Sequence, residues 1–314
     1  MSLHDLIAQS PTLYPLALND SGDLAYCVEL SEEEYRQASF LDDRMLRPEQ
    51  RQGVIRWQEL ESAAMGLPFK CDFLFHVSHA GSTLLSRLLG SHSKLFSLRE
   101  PSILRSLGVG KFPDRKETLL KLWSRTFQPE QRSLIKATSF VSEIAGELLS
   151  CVLDSKAILI FVPLETFLPA LLDGAMSDID AEAASRLARL QRRGKLLDVE
   201  LASLTPGESV AMSWLSEMVA LQSAAIRFPS RTQWLNFDDF LQNPELHLQS
   251  AFEHLGLEAD SNAILSGPIM SRYAKKPEVN YDTTFRKKLL QASLGKHAIE
   301  IERGLAWFES HKTN

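Results

Sequence analysis

Residues 71–100, CDFLFHVSHAGSTLLSRLLGSHSKLFSLRE, constrain this chain more than any other stretch of its 314 residues. A mostly apolar run from Phe73 to Val77 enters a short loop, Ser78-His79-Ala80-Gly81-Ser82-Thr83. Leu84, Leu85, Leu88 and Leu89 follow at helical spacing, and a second apolar run spans Leu95 to Leu98. The pattern predicts strand, tight loop, helix, strand, a βα unit whose loop lies at the carboxyl end of a parallel strand. Small residues let the backbone curl, so consecutive N–H groups and the positive helix end converge on one spot suited to an anion, most often a phosphate. The plainer alternative is a strand–helix turn in which Ser82 or Thr83 is only an N-cap.

The loop of nucleotide hydrolases reads G-x-x-x-x-G-K-[ST]. Here Ser82 follows Gly81 and no glycine stands five positions before it, which disfavours ATP or GTP hydrolysis; the G-x-G-x-x-G dinucleotide fingerprint is also absent. What HVSHAGSTLL resembles is the 5′-phosphosulfate loop of sulfotransferases, strand-[RK]-x-G-[ST]-[ST]-hydrophobic, with His79 where Lys or Arg is usual. The resemblance implies that Ser78, His79, Ala80, Gly81, Ser82 and Thr83 hold the donor 3′-phosphoadenosine-5′-phosphosulfate, without a metal. A Cβ at Gly81 is expected to intrude where the backbone meets that donor.

A second segment, Asn236-Phe237-Asp238-Asp239-Phe240-Leu241-Gln242-Asn243-Pro244-Glu245 before LHLQSAFEHLGL, resembles the family's strand, [YF]-E-D-L, P-E, helix, L-G-L order. In itself it reads as a strand over Thr232 to Phe237 and a helix with Asn243 as N-cap and Pro244 at its first position. Between the two segments, Ser133 to Thr138 and Lys156 to Val162 read as buried strands, each before a helical run. Strands alternating with helices predict an α/β protein of P-loop type, three layers around a central parallel sheet.

In many sulfotransferases the base that takes the acceptor proton is a His in a pattern like K-[TS]-H. The matching stretch is Lys136-Ala137-Thr138, so Lys136 carries over and the His does not. Other branches use a Glu at the end of the second strand, the place of Glu100. The resemblance thus gives Glu100 as candidate base, Lys136 as charge stabiliser and His79 as their companion at the loop. A solvated strand-end Lys and an acid beside Pro101 are the plainer readings.

The family's 3′-phosphate holders, R-[DN]-P-x-x-x-x-x-S, align with Val162 and Ala170, which offer no side-chain hydrogen bond. A replacement is Ser271 to Lys288, with six basic side chains against Glu278 and Asp282 in a chain of net charge −6. Gly267-Pro268 and Pro277 predict a loop there. Arg272 and Lys275 are its candidate phosphate ligands, and Tyr273 its candidate adenine partner.

Residues 1–70 show no strand–helix alternation and are expected to pack as an extension on the domain of residues 71–314, over the acceptor site. Ser31 to Arg44 reads as an acidic helix with a Ser31/Glu34 capping box, and Glu49 to Met65 as another. A helical insertion covers about residues 176–230. In it the arginines from Arg186 to Arg193 and Lys195 read as a solvated face. Thr205-Pro206-Gly207-Glu208 opens a long helix with a core stripe of Ala211, Trp214, Leu215, Met218, Leu221, Ala225 and Ile226.

The acidic balance argues against nucleic-acid binding. Cys27, Cys71 and Cys151 stand apart without metal spacing, and no run approaches the ~20 apolar residues of a membrane helix. Asp5 and the missing basic n-region do not fit a secretory signal, so a cytoplasmic protein is expected. The whole reads as a sulfotransferase-like enzyme acting on a hydroxyl or amine of a small-molecule or carbohydrate acceptor. A kinase-like phosphotransferase is the alternative enzyme, and a catalytically silent nucleotide-binding or interaction protein the alternative of another class.

Overall fold

The computed structural model describes residues 3–174, 176–194, 199–270, 272–273, 276–280 and 283–312. The chain opens with α1 (Leu3–Gln9), β1 (Leu13–Leu18), β2 (Leu24–Glu29), α2 (Glu32–Gln37), β3 (Gln52–Arg56) and α3 (Trp57–Ala64). The parallel-sheet region follows with β4 (Cys71–His76), α4 (Ser82–Leu89), β5 (Leu95–Arg99), α5 (Ser102–Gly108), α6 (Lys116–Trp123), β6 (Arg132–Lys136), α7 (Ala145–Cys151), β7 (Ala157–Phe161) and α8 (Leu164–Leu172). Next come α9 (Met176–Arg192), α10 (Pro206–Arg227), β8 (Thr232–Asn236), α11 (Phe237–Gln242), α12 (Pro244–Leu255) and α13 (Ser261–Leu265). Last are β9 (Arg272–Tyr273), β10 (Lys276–Asn280), α14 (Thr283–Lys296) and α15 (Ala298–His311).

The expected α/β architecture is present. Five strands form one parallel sheet in the order β5-β6-β4-β7-β8. All six residues of β4 are buried, which is why its sequence is a near-continuous apolar run rather than an alternation. Because β4 lies at the centre and the chain moves first to one side of it and then to the other, its carboxyl end is the topological switch point. In open parallel sheets that is where the ligand crevice forms.

The N-terminal region departs from expectation. It contains a three-stranded antiparallel sheet, β1-β2-β3, and the helix read over Glu49 to Met65 is strand in its first half. The hairpin turn is made by Asn19, whose side chain accepts from the N–H of Leu24, and by Gly22 at φ 75°. This sheet is tied to the large one by buried arginines. Arg125 donates to the carbonyls of Ser10 and Leu13, and Arg99 to those of Tyr35, Arg36 and Ala38 at the end of α2.

The capping boxes Ser31/Glu34 and Thr205/Glu208 both form, the first on α2, which ends at Gln37. The α12 cap differs. Asn243 makes no side-chain cap, whereas Asn236 caps α11 through the N–H of Asp238. In the core stripe of α10, Ala211, Leu215 and Leu221 are buried but Ile226 is 77% exposed, at the helix end. Arg186 and Arg189 are buried, not a solvated face, because α9 packs against α10. Lys195 lies outside the described residues. The basic segment is no plain loop either: β9 and β10 pair antiparallel, and Arg286, Lys287 and Lys288 belong to α14. The cysteines are free thiols, and among the described residues no helix is long and apolar enough to cross a membrane.

Candidate functional site

The loop between β4 and α4 has the geometry its sequence predicts. Gly81 is the N-cap of α4 at φ 68°, a left-handed conformation that an L side chain disfavours, and no side chain caps the helix. The N–H groups of Ser82, Thr83 and Leu84 therefore start a helix whose first turn has no partners of its own. Ala80 before them is buried at 0% exposure, and a helix start of this kind is suited to an oxyanion.

Two details of the loop differ from the sequence reading. A Cβ on Gly81 would stand 2.1 Å from the ring of Phe237, so the glycine is required by a close approach of α11 as well as by its φ. Ser78 does not aim its donors into the cradle. Its N–H donates to Glu217 Oε2 at 2.7 Å, and its hydroxyl contacts Glu217 Oε1 at 3.0 Å and Ser139 Oγ at 2.8 Å. Glu217, on α10, is buried, and burial pushes its carboxyl up while Arg186 and the Ser78 N–H act against that. It anchors the first residue of the loop, and the sequence offered no sign of it beyond an acid on an apolar helix face.

At the adjacent strand ends lies a buried polar cluster. Lys136, at the end of β6, donates to Glu100 Oε1 just beyond β5, and Thr138 Oγ1 donates to Glu100 Oε2 at 3.1 Å. Arg105 on α5 stands 3.6 Å from the same carboxylate and donates to Thr138 Oγ1. Burial would raise the Glu100 carboxyl, but Lys136 foremost, then His76 and Arg105, holds it below its ordinary value. Lys136 also lies 5.7 Å from the Phe40 ring, which brings the N-terminal region to this edge of the sheet.

His76, at the end of β4, is the residue the sequence reading missed. Its Nδ1 contacts the Val77 carbonyl, while its buried Nε2 has no hydrogen-bond partner. Burial first, and the Lys136 charge second, push its pKa down to about 4, so the ring is neutral at pH 7. The signal was a polar residue ending an otherwise apolar central strand.

Among the described residues three non-glycines have positive φ, and two of them, His79 at 57° and Glu100 at 51°, stand at the ends of β4 and β5. Such conformations cost on the order of 1–2 kcal/mol each and gather at functional sites. His79 is exposed at the crest of the loop.

The positions that align with the family's 3′-phosphate holders are different. Val162 is buried, and its carbonyl accepts from Trp214 Nε1, so neither it nor Ala170 supplies a phosphate ligand. The basic C-terminal segment does reach this neighbourhood. Arg286 pairs with Asp238 at 2.7 Å, and its guanidinium lies 5.5 Å from the centre of the same Phe237 ring that packs on Gly81. Arg272 and Tyr273 form β9, though their side chains, like the whole of Lys275, lie outside the described residues. No cluster of metal-ligating side chains occurs among the described residues.

The structure is similar to that of the sulfotransferase domain from the curacin biosynthetic pathway, at 13% identity and a TM-score of 0.45, over 74% of this chain and 98% of that one. It is also similar to the sulfotransferase domain from the Synechococcus PCC 7002 olefin synthase, at 14% identity and a TM-score of 0.41, over 71% and 94% of the two chains. A sulfotransferase from Alicyclobacillus acidocaldarius is similar at 12% identity and a TM-score of 0.38, over 76% and 98%. No protein-family model matches the chain, and no curated protein matches it.

Proposed function

We propose that the chain is a sulfotransferase, moving a sulfuryl group from 3′-phosphoadenosine-5′-phosphosulfate to a hydroxyl or amine of a small acceptor. The observation that carries this reading is the pairing of an uncapped helix start at the switch point with a buried Glu–Lys pair on the neighbouring strand ends. Sulfuryl transfer needs both parts: fixed N–H donors for the 5′-phosphosulfate, and a cation and a base beside the sulfur.

In this reading Ala80, Gly81, Ser82 and Thr83 cradle the donor, with His79 on the exposed side. As the structure stands, Glu100 is a weak base, because Lys136 favours its charged form. Movement of Lys136 toward the bridging oxygen, where negative charge develops as the S–O bond breaks, removes that hold. Burial then raises the basicity of Glu100 while the acceptor proton is leaving. Arg272, Tyr273 and Lys275 take the 3′-phosphate and adenine in place of the Val162 and Ala170 positions, with Arg286 anchoring the segment at Asp238.

Calorimetric titration with 3′-phosphoadenosine-5′-phosphate, ATP and GTP tests the reading. The desulfated donor product is expected to bind at least tenfold more tightly than either triphosphate. Preference for ATP would overturn it in favour of a phosphotransferase. Product binding without transfer from the sulfated donor to any of a panel of phenols, alcohols and amines would instead mark a silent nucleotide-binding protein, a reading favoured by the residues at Val162 and Ala170.

A further inference from the structure

A separate cavity of ≈160 Å³ lies against α2, α4 and β5 and shares no lining residue with the phosphate loop. Its walls carry three arginines, Arg36, Arg87 and Arg99, and one acid, Glu32. Glu32 is already taken by Arg36, at 2.6 Å. The other two arginines pair with no carboxylate among the described residues.

Arg99 is 3% exposed. Its Nε and Nη2 donate to the last carbonyls of α2, which leaves Nη1 without a hydrogen bond among the described residues. Arg87 gives Nη2 to Ser39 Oγ at 2.9 Å, and its Nε is buried with no partner. Burial pushes both guanidiniums down, Arg99 to about 9, with the Arg87 charge adding to the effect on Arg99. A structural role explains part of Arg99, since a cation at a helix C-terminus is favourable. Arg87, in the last turn of α4, is favoured in the same way, but that does not account for its buried and unpartnered Nε on the wall of the same cavity as Arg99.

A buried guanidinium and a half-buried one of like charge on one cavity wall, with no carboxylate paired to either among the described residues, are costly unless an anion joins them. Guanidiniums present forked N–H donors that match a tetrahedral oxyanion better than a point charge does. The cavity has room for such a group, being several times the ~30 Å³ that a water molecule occupies in the liquid. We propose that this cavity binds a phosphate or sulfate group between Arg87 and Arg99, either as the free ion or as the terminal ester of a larger molecule. The site is independent of the donor cradle.

The test is calorimetric titration, in chloride buffer, with inorganic phosphate, inorganic sulfate and glycerol 3-phosphate, each with and without saturating 3′-phosphoadenosine-5′-phosphate. Saturable binding is expected that survives the nucleotide and weakens at least tenfold in Arg87→Gln. The Arg87→Lys variant, with the charge but not the fork, should fall between the two. Tighter binding of glycerol 3-phosphate identifies an ester as the ligand, and tighter binding of the inorganic ions identifies the free anion. Equal affinity in wild type and Arg87→Gln, or no saturable binding in wild type, overturns the proposal. If the nucleotide itself fails to bind, the sulfotransferase reading falls while the Arg87 dependence is still read. Arg87 makes one side-chain hydrogen bond, so Arg87→Gln is expected to fold; Arg99, with three backbone tethers, is not the residue to vary.

Discussion

Two ion pairs close opposite ends of the same parallel sheet. At the amino end, Asp72 of β4 takes a bidentate fork from Arg132, at 2.9 and 3.0 Å, and the Lys156 N–H at 2.8 Å. At the carboxyl end, Glu100 takes Lys136 and Thr138, with Arg105 behind. The first pair leaves its carboxylate satisfied from both neighbouring strands, and Arg132 reaches solvent. The second is closed off at 1% and 8% side-chain exposure, and beside it His76 Nε2 is buried without a partner. The second pair thus combines a glutamate at positive φ with a neighbouring imidazole that has one unpartnered nitrogen, features the first pair lacks. The contrast is what supports the proposed catalytic role of the second pair over that of a structural bridge.

The comparison can be broken most directly at the lysine. Lys136→Met leaves Glu100 buried without its counter-charge, which should cost about 3–5 kcal/mol in urea unfolding and weaken donor-product binding in the fraction that folds. Asp72→Asn should cost less, since Arg132 can turn to water, and should leave donor-product affinity at the wild-type value. Equal losses of affinity in the two variants would erase the distinction.

A pH series sharpens it. His76 has a folded-state pKa of about 4, below its ordinary ~6.5, so the unfolded chain binds the extra proton first. Its contribution to stability is complete above pH 6.5 and is lost as pH falls toward 4, roughly 3 kcal/mol over that interval. The Glu100 contribution is lost as pH falls below the ordinary carboxylate range, because its carboxyl is held below that range. His76→Gln should flatten the unfolding free energy between pH 6.5 and 4 and leave the steeper acid limb. An unchanged profile in that variant would show that His76 is not held neutral by the cluster.

The smallest effect belongs to Thr138. Thr138→Val removes the Oγ1 hydrogen bond to Glu100 and should cost about 1–2 kcal/mol while keeping the ion pair. A loss as large as that of Lys136→Met would mean that the hydroxyl, not the ammonium, holds the carboxylate.

The loop was legible because its physics is local. Small residues between an apolar strand and an amphipathic helix leave few conformations, and Gly81 marks the left-handed turn. The parallel sheet was legible for a similar reason, since strands buried on both faces must be written as apolar runs. The N-terminal sheet was not, although Asn19 and Gly22 carried a hairpin signal between Leu13–Leu18 and Leu24–Glu29. The turn marks a chain reversal but states no partner for β3, whose residues QGVIR carry little apolar pattern.

By itself the sequence determined the βα unit at residues 71–100, the strand order of types and the two capping boxes, all set by neighbours along the chain. Tertiary structure alone decided that Phe237 packs on Gly81, that Glu217 anchors Ser78 across 139 positions, and that Arg87 and Arg99 line one cavity. Those contacts join residues far apart in sequence, and hydrophobic periodicity says which side of an element is buried without saying against what.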